Sequence, residues 1–122
     1  MTDQNVANDQ TVCVPRYAFE ALAAYSALNE DKVAVMLLLL MRMDSNRAVS
    51  VDTTLLPDFL TFREERVHRA ISSLIEYGWV ESVDEKALRL GFLKCVVHSA
   101  FTNSDFQTLK QVLANNRFSF GV

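Results

Sequence analysis

The sequence has little of what interrupts or cross-links a folded chain. Its 122 residues include three glycines, two prolines and two cysteines. So few glycines and prolines exclude collagen-like arrays and low-complexity linkers. Cys13 and Cys95 lie far apart, so they form neither a CxxC motif nor a disulfide framework. Because a secretion signal is also missing, we expect the protein to reside in the reducing cytoplasm.

Early positive charge and long hydrophobic runs are missing too. Residues 1–10 are polar and slightly acidic, which is unlike a signal peptide. The most apolar stretch, Val33–Met41, has nine residues, whereas a helix that crosses a bilayer needs about 20. We therefore expect no membrane segment. The net charge of −3 argues against bulk electrostatic coating of nucleic acid, so any phosphate contact must come from a local basic patch.

What is present predicts one mostly helical α+β domain. The chain is 50% apolar and long enough to bury a core without disulfides or metals. We expect a flexible tail over residues 1–14 and a single domain over residues 15–122. Apolar spacings of three and four residues predict helices, and alternating patterns predict strands. The predicted helices cover residues 15–28, 32–43, 63–77 and 104–116, with a short one ending at residue 60. The predicted strands are 48–51 and a hairpin of 79–83 and 87–92.

Residues at the ends of these elements predict how they begin and stop. Asn29 offers an N-cap, followed by acids at the positive end of the next helix. Thr61 and Glu64 match a capping box, and Gly78 lies where a helix favours a residue with positive φ. Residues 94–101 fit either a continued strand or a short helix. Residues 117–122 alternate apolar and polar, which predicts a small strand that packs on its own domain or adds to a partner's sheet.

Residues 56–80 resemble a winged helix-turn-helix, as found in MarR-like and related bacterial regulators. In that pattern a short helix, a tight turn and a recognition helix precede a Gly-apolar-Val step into the wing. The matching positions are Leu56, Leu60, Phe62, Val67, Ile71, Leu74, Gly78 and Val80. The resemblance covers about residues 31–92, with flanking helices at about 16–28 and 104–116. It implies a winged helix-turn-helix with extra N- and C-terminal helices.

The resemblance also implies a function, which is sequence-specific binding of double-stranded DNA by a homodimer that regulates transcription. A recognition helix lies in the major groove, where arginine can contact guanine and glutamate can accept from cytosine. The residues expected to read bases are Arg63, Glu65, Arg66, Arg69 and Ser73. Lys86 and Arg89 are expected to hold the DNA backbone. The same machinery suits a DNA-binding adaptor in plasmid or phage segregation or replication.

Other interpretations remain open at this point. Glu65 and Arg69, four residues apart, could be a plain surface pair, and the helix could bind a protein instead of DNA. The Tyr17–Leu28 and Phe106–Leu113 helices could form a dimer seam, or only thicken the core of a monomer. A weaker hypothesis is a small-molecule sensor that uses Tyr17, Phe19 and Tyr25 at that seam.

Nothing in the sequence indicates catalysis. His68 and His98 have no cysteine or carboxylate partner at a metal-binding spacing. The chain contains no glycine-rich phosphate loop and no nucleophile elbow. We therefore expect a protein that is not an enzyme and that has no metal or cofactor.

Overall fold

The computed structural model describes residues 13–114, which form a mostly helical α+β fold with one small sheet. In chain order the elements are α1 (Arg16–Ser26), α2 (Glu30–Arg42), β1 (Ala48–Asp52), α3 (Leu56–Leu60), α4 (Glu64–Glu76), β2 (Val80–Ser82), α5 (Glu85–Arg89), β3 (Phe92–Val97) and α6 (Phe106–Ala114). Single 3-10 turns lie at Thr53–Leu55 and Ser99–Phe101. The expectations for residues 1–12 and 115–122, including the strand at 117–122, lie outside the described residues.

The sheet has three antiparallel strands in the order β1-β3-β2. Val49 pairs with Cys95 and Ser82 pairs with the same residue from the other side, so these three side chains share the inner face. Lys94, one residue earlier on β3, is exposed on the opposite face. The sheet is therefore covered on one side only, and its alternating burial follows from that.

The core lies between the sheet and the helices. α2 is buried on nearly all sides, as its apolar sequence predicts, because α1, α4 and β1 pack around it. α4 buries one stripe, made of Val67, Ala70, Ile71 and Leu74. The flanking helices α1 and α6 pack against each other, and α1 also packs on α2. Cys95 is buried among these apolar side chains, whereas Cys13 is exposed.

Several predicted helix ends are confirmed. The Asn29 side chain accepts a hydrogen bond from the backbone N–H of Lys32 at 3.4 Å, and Glu30 and Asp31 occupy the first turn of α2. Asp105, for which no cap was predicted, caps α6 in the same way through the N–H of Thr108 at 2.8 Å. Gly78 follows α4 with a φ of 78°, which a side chain would disfavour. The ends at Asn29 and Gly78 could be predicted from the sequence because they depend only on residues close by in the chain.

The capping box at Thr61 and Glu64 is wrong. Thr61 ends α3 in the left-handed conformation, with φ 54° and ψ 39°, and its hydroxyl bonds the carbonyl of Leu60. The N-cap of α4 is Arg63, whose side chain makes no capping bond. The left-handed turn is held by backbone bonds, since the N–H of Phe62 donates to the carbonyl of Pro57 at 2.9 Å. This bond outweighs the preference of threonine for negative φ.

The second strand of the predicted hairpin is also wrong. Val80–Ser82 is a strand, but Glu85–Arg89 forms the short helix α5, capped by Asp84 through the N–H of Ala87 at 3.0 Å. The returning strand starts only at Phe92 and runs to Val97, which settles the ambiguous stretch after residue 94. The N-cap signal of Asp84 explains the helix, because an aspartate three residues before a free N–H stabilises a first helical turn.

Leu74→Ala should lower the free energy of unfolding by about 2–5 kcal/mol, because Leu74 has no exposed surface and its removal leaves a cavity. The matched control is Leu90→Ala, since Leu90 is 81% exposed and its removal should change stability by less than about 0.5 kcal/mol. Urea unfolding followed by circular dichroism measures both. Equal losses in the two variants would contradict the packing of α4.

Candidate nucleic-acid interface

Helix α4 presents a polar face to solvent because its apolar stripe holds the other face on the core. Glu65, Arg69 and Ser72 are exposed on this face, as is Arg63 at the helix start. Ser73 is half-buried, at the edge of the face. Arg69 and Glu65 form no ion pair within 4 Å in the described part of the chain, so the expected surface pair is absent there. Arg63, Glu65 and Arg69 are therefore accessible to a partner.

Arg66 differs from the other arginines of α4. Its Nη2 lies 2.6 Å from Oδ1 of Asp31 on α2, and its Nε lies 3.1 Å from Oδ2. The guanidinium also lies 3.9 Å from the centre of the Phe62 ring. A two-point pair of this kind fixes both side chains in one geometry. Asp31 thus accepts from two of the five N–H donors of Arg66, whose side chain is 37% exposed, so Arg66 is held within the molecule more firmly than the expectation that it reads bases requires.

The Arg66–Asp31 pair joins α4 to α2. The hydrogen bond from Arg66 lowers the pKa of the Asp31 carboxyl below its ordinary value and raises the pKa of Arg66. A carboxyl with a lowered pKa stabilises the fold above its ordinary pKa, and that contribution is lost as the pH falls through the lowered value. The pair therefore acts as a clamp that holds the start of α4 near the start of α2.

The connection between β2 and β3, residues 83–91, lies beside the first half of α4. A shallow pocket is lined by Glu64 and His68 of α4 together with Arg89 and Leu90 of this connection. Gly91 fixes its end, since its carbonyl accepts from the N–H of Thr53 at 2.8 Å. Lys86 and Arg89 are exposed on α5. Of the two basic residues expected to hold a backbone, Arg89 thus lies beside α4.

Charges of both signs share this surface. The exposed basic side chains are Arg63, Arg69, Lys86 and Arg89, and the exposed acidic ones include Glu64, Glu65 and Glu85. A phosphate backbone attracts the first set and repels the second. Because the net charge is −3, contact with phosphates needs a local basic patch. Basic side chains are grouped on this surface, but acidic side chains lie among them.

Lys32 is the functional candidate that the sequence analysis missed. Its side chain is 1% exposed and its ammonium has no hydrogen-bond partner among the described residues. Nζ lies 3.4 Å from the centre of the Tyr77 ring, 4.4 Å from that of Trp79 and 5.3 Å from that of Tyr25. Helical spacing could have found it, because Lys32 falls on the stripe that continues with Val35, Met36 and Leu39.

The charge on Lys32 is costly in this position. Burial lowers the pKa of Lys32 to about 8, while the nearby charge of Glu76 acts in the opposite direction. Aromatic ring faces attract an ammonium by about 2 kcal/mol or more when water is excluded, which offsets part of the cost. A buried cation without a carboxylate is rare, and such groups are concentrated at functional sites.

The three aromatic residues considered as a ligand site, Tyr17, Phe19 and Tyr25, lie in different surroundings. The Tyr17 hydroxyl donates to the carbonyl of Ala100 at 2.8 Å and accepts from the N–H of Ser104 at 2.6 Å. Tyr25 packs edge-on against Trp79, whereas Phe19 is exposed. The sensor hypothesis is therefore not supported by the placement of these three rings. In residues 13–114, no group of three His, Cys, Asp or Glu side chains is arranged to hold a metal ion.

Asp31→Ala and Arg66→Ala should each lower the stability of the fold, and the double variant should lose less stability than the sum of the two single losses. This non-additivity follows because either change alone removes the whole pair. Thermal unfolding of the four proteins at pH 7 measures it. Fully additive losses would mean that the two side chains act independently.

Lys32→Met should be at least as stable as the unchanged chain at pH 7, because it removes a buried charge and keeps the volume. The unchanged chain binds more protons unfolded than folded between the folded pKa of about 8 and the ordinary 10.5. Its stability should therefore rise over this range, by up to about 3 kcal/mol at about 1.4 kcal/mol per pKa unit.

Urea unfolding between pH 7 and 10.5 tests the expectation for Lys32, and the rise should be missing in Lys32→Met. Lys110→Met changes an exposed lysine and should keep the rise. A strong loss of stability in Lys32→Met at pH 7 would show that the ring contacts outweigh the cost of burial.

Comparison with known proteins adds no relative. No protein-family model matches the sequence, and no curated protein or solved structure matches it either. No helix in the described part of the chain is long and apolar enough to span a bilayer. What the surface around α4 does must therefore be argued from its geometry.

Proposed function

We propose that the chain is a winged helix-turn-helix domain that binds double-stranded DNA. The observation that carries the proposal is the placement of α4, which follows the short helix α3 through a tight turn and exposes a polar face with arginines. A helix held in this way can enter a major groove. The sheet order β1-β3-β2 supports the proposal, since the β2–β3 connection then lies beside α4 as a wing.

Each exposed side chain of this surface has a proposed role. Arg63 and Arg69 contact base edges, where a guanidinium can bond guanine through two atoms. Glu65 accepts from a cytosine amine, and Ser73 contributes a hydroxyl at the edge. Lys86 and Arg89 contact phosphates. Arg66 positions α4 instead of contacting DNA, because Asp31 holds its guanidinium.

We further propose that the DNA-bound form is a homodimer that regulates transcription, or serves plasmid or phage segregation or replication. Of the two flanking helices, α1 is the better seam. Its outer face exposes Phe19 and Ala23, with Ala27 and Leu28 exposed just beyond the helix, whereas α6 exposes Gln107, Lys110 and Gln111. Apolar side chains that a monomer leaves exposed are the ones a second copy can cover.

A second candidate function is binding of a protein partner through the same surface. The specific observation in its favour is the mixture of charges on α4 together with four exposed large apolar side chains around it. These are Leu55 and Phe59 at α3, and Leu90 and Phe92 at the β2–β3 connection, each between 47% and 81% exposed. Exposed apolar groups of this size are typical of protein interfaces.

Arg63→Ala and Arg69→Ala should each weaken binding to a selected duplex by about 1–3 kcal/mol and leave the fold intact, because both side chains are exposed. Arg42→Ala, which changes an exposed arginine at the end of α2, is the matched control and should bind as the unchanged chain does. Fluorescence anisotropy with duplexes selected from a random library measures affinity. Sedimentation of the same samples without DNA gives the oligomeric state, for which we expect a dimer.

Salt distinguishes the two candidates. Binding through phosphates should weaken by about 0.9 log units per contact for each log unit of salt. If the unchanged chain selects no duplex at low salt, the DNA proposal is wrong, and the apolar residues around α4 become the ones to test against protein partners.

A further inference from the structure

Lys32 lies where four parts of the fold meet. It belongs to the first turn of α2, and the rings around its ammonium come from α1 through Tyr25, from the end of α4 through Tyr77, and from the step into β2 through Trp79. Trp79 also connects this cluster of rings to α6, because its Nε1 donates to the carbonyl of Leu113 at 3.1 Å. One charged atom is therefore in contact with the segment that links α4 to the sheet.

Packing alone does not require a charge at this point. A methionine has nearly the same length and would fill the space without the cost of burying an unpaired ammonium. The directional attraction between an ammonium and ring faces differs from apolar packing, because it fixes the rings relative to the charge. The closest ring is that of Tyr77, at 3.4 Å, directly after the last residue of α4.

We propose that Lys32 is a positioning residue for the DNA-binding surface, an inference that rests on the proposed function. Its ammonium, enclosed by Tyr25, Tyr77 and Trp79, clasps the end of α4 and the start of β2 to α1 and α2. The charge on Lys32 then sets the angle at which α4 and the β2–β3 connection are presented. When Lys32 is neutral the fold no longer bears the cost of a buried charge, but the three rings lose the directional attraction that fixes their positions, so the end of α4 can shift.

The groups that face Lys32 determine the pH range over which its amine is charged. Glu76 on α4 favours the ammonium, and burial disfavours it, so that the pKa of Lys32 falls to about 8. The pKa of Tyr25 is raised by burial, so this ring stays neutral where Lys32 titrates. Two further charged groups line the cleft beside Lys32. They are Asp31 of α2, which Arg66 holds, and Arg69 of α4.

Trp79 reports on the clasp directly, because it is the single tryptophan of the chain and lies 4.4 Å from the ammonium. The fluorescence of the full chain without DNA, measured from pH 6.5 to 10, should change with a midpoint near pH 8. Lys32→Met should abolish this transition, and Lys110→Met should retain it. A transition that persists in Lys32→Met, or that is missing from the unchanged chain, overturns the proposal.

DNA binding gives the second measurement, with duplexes selected from a random library as the probe. The affinity of the unchanged chain for DNA should fall several-fold between pH 7 and 9. The midpoint of this fall should coincide with the midpoint of the Trp79 fluorescence transition. Lys32→Met should bind several-fold more weakly at pH 7 and show no such fall, while circular dichroism shows it folded. Lys110→Met should match the unchanged chain.

The two proposals fail separately. If folded Lys32→Met binds DNA with the affinity and pH profile of the unchanged chain, Lys32 is not a positioning residue. If the unchanged chain binds no DNA, the proposed function is wrong, and the fluorescence transition alone decides whether Lys32 clasps the end of α4.

Discussion

The fold depends on the burial of Trp79. This side chain has no exposed surface, contacts Tyr25 of α1 and Phe101 of the turn before α6, and bonds the backbone of α6. It stands between the end of α4 and the start of β2, so it joins the helices at the two ends of the chain to the central unit of α2, α4 and the sheet. Lys32 adds a charge to this junction. The position of α4 is thus set at its end by rings and an ammonium, and at its start by Arg66 and Asp31.

These two attachments explain why the polar face of α4 is only partly available to a partner. A fully basic face would attract phosphates more strongly, but one of its arginines is used to hold the helix in place. Fixing the helix has a benefit for recognition, because side chains on a rigid helix lose less freedom when they bind. For the proposed DNA binding, we therefore expect selectivity to gain more from this surface than the strength of a purely electrostatic attraction.

Much of the fold could be predicted from the sequence because its signals are local. The stripe of Val67, Ile71 and Leu74 predicted α4, and the cap at Asn29 predicted the start of α2. Two errors arose where one local signal outweighed another, and two further features depend on distant contacts. The left-handed Thr61 is held by Pro57, and the helix α5 interrupts a pattern that alternates like a strand. The partner of Arg66 lies 35 residues away in sequence and the rings around Lys32 come from three elements, so neither could be found by spacing along one helix.

The helix α5 has a geometric consequence. If the nine residues between Ser82 and Phe92 formed a hairpin, they would project roughly 13 Å beyond the sheet, at about 3.3 Å per extended residue. Coiling five of them into α5 shortens that projection, and Gly91 anchors its base to Thr53. The β2–β3 connection is consequently shorter than an extended hairpin of the same nine residues. We therefore expect it to cover only a short stretch of a partner.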